Sequence, residues 1–211
     1  MSGYGRTWWG KRWLRTVEQL GITYPDSRMS KARTLARAGA VDLLTIDPGE
    51  LSAWVDQPRR SFGVSVRLPV FDTAQWNAVD RTLAEQLRNL ADLLDDRLPT
   101  TIDKQLSMIG LSLFPADGEL DTYCPCKDSS AACVHVIAVQ HAFAARFDDD
   151  PFLLPLLRGR DHDAFLAGLR AGYPRPPAGR TPTERVAVTA LSADDYYERN
   201  TTANALLLGF A

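Results

Sequence analysis

The sequence predicts an α+β protein: a small antiparallel β-meander covered by helices, plus a second half organised around a cluster of cysteine and histidine. Three observations carry the prediction. Apolar residues recur at helical spacing near the N-terminus, alternate with a period of two between residues 41 and 68, and return to helical spacing from residue 72. Asp47-Pro48-Gly49-Glu50 and Gln57-Pro58-Arg59 punctuate the middle stretch as turns do. The three cysteines of the 211-residue chain all fall between positions 124 and 133, and one of only three histidines follows two residues later.

Each element follows in order. Trp9, Trp13, Val17 and Leu20 share one helical face, with Lys11, Arg12 and Arg15 on the other, so the aromatic face is the buried one. A second basic stretch, Arg28, Lys31, Arg33 and Arg37, ends at Gly39. Val41 to Ile46, Leu51 to Asp56 and Ser61 to Leu68 read as three short strands of a meander. Asp72 and Gln75 form a capping-box pair, and Trp76, Val79, Leu83, Leu87, Leu90 and Leu94 make a stripe of about five turns able to cover the sheet. A shorter helix is expected from Pro99 to Ile109, stopped by Gly110. Asp150-Pro151 suits a helix start, Arg158-Gly159 its stop, and Ala164 to Leu169 another short helix. Tyr173 to Pro182 holds four of the thirteen prolines and reads as a linker; Leu191 to Asn200 reads as a short docking helix with Tyr196 and Tyr197 as anchors. Trp8, Trp54 and Trp76 read as core.

Composition excludes several classes. The chain is 45% hydrophobic and 24% charged, which is ordinary globular usage. The net charge of −2 excludes a protein held on nucleic acid by bulk charge. The charge is uneven, however: residues 1–67 carry 11 basic and 6 acidic side chains, residues 68–150 carry 6 and 14. No apolar run reaches the roughly 18 to 20 residues of a membrane span, and the N-terminus lacks a signal-peptide core, so a cytoplasmic protein is expected.

The chemistry lies in Cys124, Cys126, Cys133 and His135, spaced C-x-C-x6-C-x-H. Three thiolates and an imidazole are a complete tetrahedral zinc set. In an extended segment Cys124 and Cys126 point to the same side, and Pro125 favours that conformation. Residues two apart in a helix diverge by about 200°, so Cys133 belongs at a helix entrance with His135 in the first turn. The following run, Val136, Ile137, Val139, Phe143 and Phe147, supplies that helix. A helix N-terminus stabilises the net −1 of such a centre, and its amides can hydrogen-bond the sulfurs. The odd cysteine count and the short C-x-C loop disfavour a disulfide, and a redox pair is expected as C-x-x-C. The second half is thus a zinc-knuckle-and-helix half.

This motif followed by an apolar helix resembles the SWIM zinc finger. Thr7-Trp8-Trp9-Gly10-Lys11, Arg33-Thr34-Leu35-Ala36-Arg37-Ala38-Gly39 and Asp150-Pro151-Phe152-Leu153-Leu154 through Leu157-Arg158-Gly159-Arg160 resemble bacterial, particularly actinobacterial, SWIM zinc-finger proteins. The resemblance covers roughly residues 4 to 170 and implies Cys124, Cys126, Cys133 and His135 as Zn2+ ligands. It implies a module for nucleic-acid or protein interaction, found with Swi/Snf-type helicase-like ATPases, in Mutator-type transposases and in factors assisting recombinases. A stand-alone member is then expected to be the partner of such an ATPase. Where relatives often carry a basic residue between the third cysteine and the histidine, this chain has Val134, and Lys127 is the only base in the loop.

The expected organisation is an N-terminal α+β domain over 1–115, the SWIM-type finger and following helices over 116–172, a Pro-rich linker over 173–190 and a C-terminal segment over 191–211. Two functions compete. One is contact with DNA, through Lys11, Arg12, Arg15, Lys31, Arg33 and Arg37, with Arg59 and Arg60. The other is a pure protein adaptor. An enzyme is not expected: the ligand set closes the zinc shell, and H-E-x-x-H, Walker A and G-x-S-x-G motifs are absent from the sequence. Asp148-Asp149-Asp150 reads as an acidic run between helices with Asp150 as a cap, and His141 and His162 as surface or supporting residues.

Overall fold

The computed structural model describes residues 4–22, 26–84, 92–93, 95, 97–128 and 130–172. Among these, seven helices surround a four-stranded antiparallel sheet, the α+β architecture expected from the sequence. Helices α1 (Trp8–Gln19) and α2 (Ser27–Arg37) precede a meander of β1 (Val41–Asp47), β2 (Glu50–Gln57) and β3 (Arg60–Arg67). Then come α3 (Thr73–Ala84), α4 (Ile102–Ser107), β4 (Asp121–Tyr123), α5 (Val134–Asp149), α6 (Leu153–Leu157) and α7 (His162–Gly172). No helix of the described residues is long and apolar enough to cross a membrane.

Local chemistry sets the element ends. Thr7 caps α1, its side chain accepting from the Gly10 amide, and Asp26 caps α2 by accepting from Arg28. The chain leaves α2 through Gly39 at φ +71°, a left-handed conformation that glycine adopts without steric cost. The capping box at α3 forms as expected: the Gln75 amide donates to Asp72 Oδ1 at 2.7 Å and the Asp72 amide to Gln75 Oε1 at 2.9 Å. Leu87, Leu90 and Leu94 of the expected stripe lie outside the described residues, as do the Pro-rich linker and the C-terminal segment.

The sheet order is β1-β2-β3-β4. β4 was not expected from the sequence; it pairs Asp121, Thr122 and Tyr123 with Arg67, Val66 and Ser65. Strand alternation turns Leu51, Ala53, Val55, Val64 and Val66 inward, onto α5. Trp54 faces the other way and is 49% exposed, which corrects its expected place in the core. It spreads over Gly63, its cross-strand partner. Trp76 is buried and Trp8 half-buried, with the Trp8 indole donating to the Leu98 carbonyl.

Helix α5 is apolar on nearly every side and runs through the middle of the core, between the sheet and helices α1 and α2. Trp13 and Phe143 pack with ring centroids 4.4 Å apart, and Phe143 and Phe147 stack at 5.5 Å. Cys133 belongs to the same buried cluster as Trp13 and Leu51, so the core is continuous across residue 115.

Two buried charges hold the loops. Asp148, at the end of α5, accepts from the Arg6 amide, the Thr7 amide and the Thr7 hydroxyl at 2.8, 2.9 and 2.6 Å, fixing the start of α1. Asp149 pairs with Arg6, and Asp150 accepts from the Phe152 amide, so the acidic run is structural. Arg158 is 1% exposed and donates to the carbonyls of Pro69, Ser112, Leu113 and Phe114 and to the Glu119 carboxylate. That ion pair, set against burial of the acid, holds Glu119 below the usual carboxylate range.

Candidate metal centre

The three cysteines and His135 collect beside the sheet, where β4 leads into the loop before α5. Thr122 faces inward beside Val66, its hydroxyl donating to the Ala131 carbonyl at 2.7 Å, and so folds the 124–133 loop back on itself. Cys124 and Cys126 continue the chain as half-buried residues, and Cys133 is buried as the N-cap of α5. Its Sγ accepts from the Val136 amide at 3.5 Å, and His135 sits in the first turn. The placement of both residues matches the sequence expectation.

The four ligand atoms all lie within 4.8 Å of one another, close enough to hold a metal ion. A tetrahedral centre with metal–sulfur bonds of about 2.3 Å has sulfur–sulfur edges of about 3.8 Å, so only a small contraction separates this arrangement from a loaded one. Burial pushes the Cys124 thiol up to about 12, with the neighbouring Cys133 adding to it, and burial also raises Cys133. Burial lowers His135. Burial of Cys124 and Cys133 thus disfavours their anions, and a divalent cation would supply the opposite charge that reverses this.

His135 is held from two sides. Its ring stacks on Phe62 at 4.2 Å and 24°, and its Nε2 lies 2.9 Å from the side-chain amide of Gln57. Its Nδ1 lies 3.6 Å from Cys124 Sγ and is the nitrogen facing the sulfurs. When Nδ1 binds a metal, the proton must sit on Nε2, and Gln57 must turn its carbonyl oxygen toward it to accept. Gln57 was read from the sequence as a turn residue. Its inward parity with Leu51, Ala53 and Val55 was the signal that could have found it.

Arg28 closes the loop from α2. It donates to the Ser130 hydroxyl and the Ala132 carbonyl, both at 3.0 Å, while pairing with Asp26 at 2.6 Å. The hydrogen-bonded Asp26 carboxylate, with Asp128 and Cys133 further off, keeps its guanidinium firmly charged. A positive charge therefore stands beside a cluster that carries net negative charge once loaded.

A shallow cavity of about 270 Å³ opens beside the ligands, lined by Arg60, Phe62, Pro125, Lys127 and Val134 together with His135 and Cys126. Of the basic residues expected to contact DNA, Arg60 alone lines this cavity, with Arg59 exposed next to it in the β2–β3 turn. Lys11 and Arg15 are exposed on α1, and Lys31, Arg33 and Arg37 on α2. Arg12 is engaged internally: it pairs with Asp103 at 3.1 Å and lies over the Phe114 ring. His141 is buried at 4% exposure, which excludes the surface alternative of the two expected for it. His162 is on the surface, paired with Asp163.

Fold and site together define an α+β protein with a Cys3His metal-binding geometry. The chain is 35% identical over 205 residues to the uncharacterized protein Rv2102 of Mycobacterium tuberculosis (strain ATCC 25618 / H37Rv), a match covering 94% of this chain and 72% of that protein, and it belongs to the same family. No family model matches the chain, and no solved structure does.

Proposed function

We propose that this chain is a zinc-dependent, non-catalytic interaction module of the SWIM type, working as an accessory partner of a Swi/Snf-type helicase-like ATPase in DNA transactions. The observation that carries the reading is the Cys124, Cys126, Cys133 and His135 cluster at the head of a buried helix. Thiolate-rich tetrahedral sets favour zinc over harder ions, and four protein ligands leave no open position for a reacting water. The ligands are tied to the core through Cys133 and to the sheet through β4, as a structural ion's ligands are. Elemental analysis of the purified protein tests the metal: one zinc per chain is expected, and a metal-free, fully folded protein would sink the reading. Purification from the native host tests the partner, with an ATPase expected to copurify.

A second reading, a pure protein adaptor, draws on the outer face of the sheet. Trp54 and Leu43 are 49% and 67% exposed there, beside a depression of about 510 Å³. Exposed aromatic residues of this kind are enriched where proteins meet. Crosslinking that places the ATPase on Trp54, with DNA binding absent at low salt, would favour it.

A further inference from the structure

His141 is buried, and both its ring nitrogens lack a hydrogen-bond partner among the described residues. Such a group gives up its hydrogen bonds to water and gains none in the fold, so an unpaired buried imidazole points to something that pairs with it. Its surroundings specify what. His141 lies one turn beyond Ile137 and Ala138, on the side of α5 that packs against Met29 and Ala32 of α2. Met29, Arg33 and Arg37 follow one another at four-residue spacing on α2, so the two arginines rise from the buried seam to its rim. Both arginines are exposed, and neither forms an ion pair among the described residues. Tyr4 completes the rim, its ring 5.5 Å from that of His141.

We propose that Arg33, Arg37, Tyr4 and His141 form a binding site for a phosphate group at the α2–α5 seam. Every group there can donate: two guanidinium forks, a phenol hydroxyl and the N–H of a neutral imidazole. α2 carries no acidic residue beyond its cap, Asp26, which is engaged by Arg28. Arg33 and Arg37, like charges one turn apart, repel each other until an anion lies between them. The charges of both arginines act on the His141 ring, and that of Arg37 also acts on the Tyr4 hydroxyl, which burial keeps protonated as a donor. A tetrahedral oxyanion bearing up to two charges can accept from donors arriving in several directions, and arginine pairs suit it. The phosphate could belong to a nucleic-acid backbone or to a free phosphorylated molecule. The site does not depend on the metal reading.

The test is an imidazole 15N NMR titration of the full chain, first with inorganic phosphate and then with a short DNA duplex. The expected result is movement of the His141 resonances. A response to phosphate alone assigns a free phosphorylated ligand, and a response to duplex alone assigns the backbone of DNA. The Arg33→Gln/Arg37→Gln double variant alters only exposed side chains. It should weaken the responding probe by at least about tenfold, as loss of charge-assisted hydrogen bonds demands. Resonances unmoved by either probe, or a double variant with unchanged affinity, would overturn the proposal. Zinc content is measured on the same sample, so a missing metal counts against the metal reading and leaves the His141 result readable.

Discussion

Gly10 stands so close to Asp148 that a Cβ at position 10 would meet the carboxylate oxygen Oδ1 at 2.1 Å. The same carboxylate receives the Arg6 and Thr7 amides and the Thr7 hydroxyl, so the absence of a side chain at position 10 lets α5 hold the start of α1. Gly10→Ala should expel the carboxylate from this position. Overpacking of this kind costs about 1–3 kcal/mol, a loss to be read from urea unfolding midpoints with an unchanged slope.

Metal removal should have a much larger effect. Structural zinc in small fingers contributes on the order of 10 kcal/mol of folding free energy. Strong chelation, or Cys133→Ser, should melt the 121–149 region while leaving β1–β3 pairing as the last structure lost. Hydrogen exchange resolved by residue checks this. An unchanged melting curve after verified metal removal would refute it.

Gln57 offers a milder perturbation. It touches the ring of His135 and none of the sulfurs in the described geometry. Gln57→Ala should lower metal affinity by about 10- to 100-fold with the fold intact, because outer partners orient the ligand ring. Competition against a chromophoric chelator measures this directly.

Acid should destabilise the protein through His141. Burial first, then the charges of Arg33 and Arg37, depress its folded-state value to about 4, against 6.5 for an ordinary histidine. The unfolded chain takes up a proton as pH falls through 6.5, while the folded chain does not until about pH 4. Stability is therefore full above 6.5 and falls progressively down to about 4, by about 3 kcal/mol. Acid would also release an ion held by the cysteine and histidine cluster, so the comparison is with His141→Gln, which should lack this share of the loss. Denaturant titrations at pH 7 and pH 5, without added phosphate, give the difference.

How much of this was legible in the sequence follows from how local each signal is. The capping box at Asp72 and Gln75 and the helix entrance at Cys133 depend on residues within three positions, and both stand where the spacing puts them. β4 carries no such signal: Asp121, Thr122 and Tyr123 are mostly polar, and only pairing with β3 makes them a strand. The bulk of Trp54 argues for burial, but its parity against Ala53 and Val55 turns it outward. Arg158 reads locally as a helix stop, whereas its five partners come from segments 39 to 89 residues away. His141, isolated in the sequence, leaves surface and supporting roles open; a helix apolar on nearly all sides gives it no outward face.

The shortest strand has the widest reach. β4 covers one border of the sheet with only three residues, and the cysteine loop continues directly from it. If β4 comes away, the bare backbone of Ser65, Val66 and Arg67 becomes a template on which another molecule can add its own strand. On the zinc reading proposed above, a bound ion that anchors the loop also keeps the protein from clumping, and chelated preparations should turn turbid before they are fully denatured.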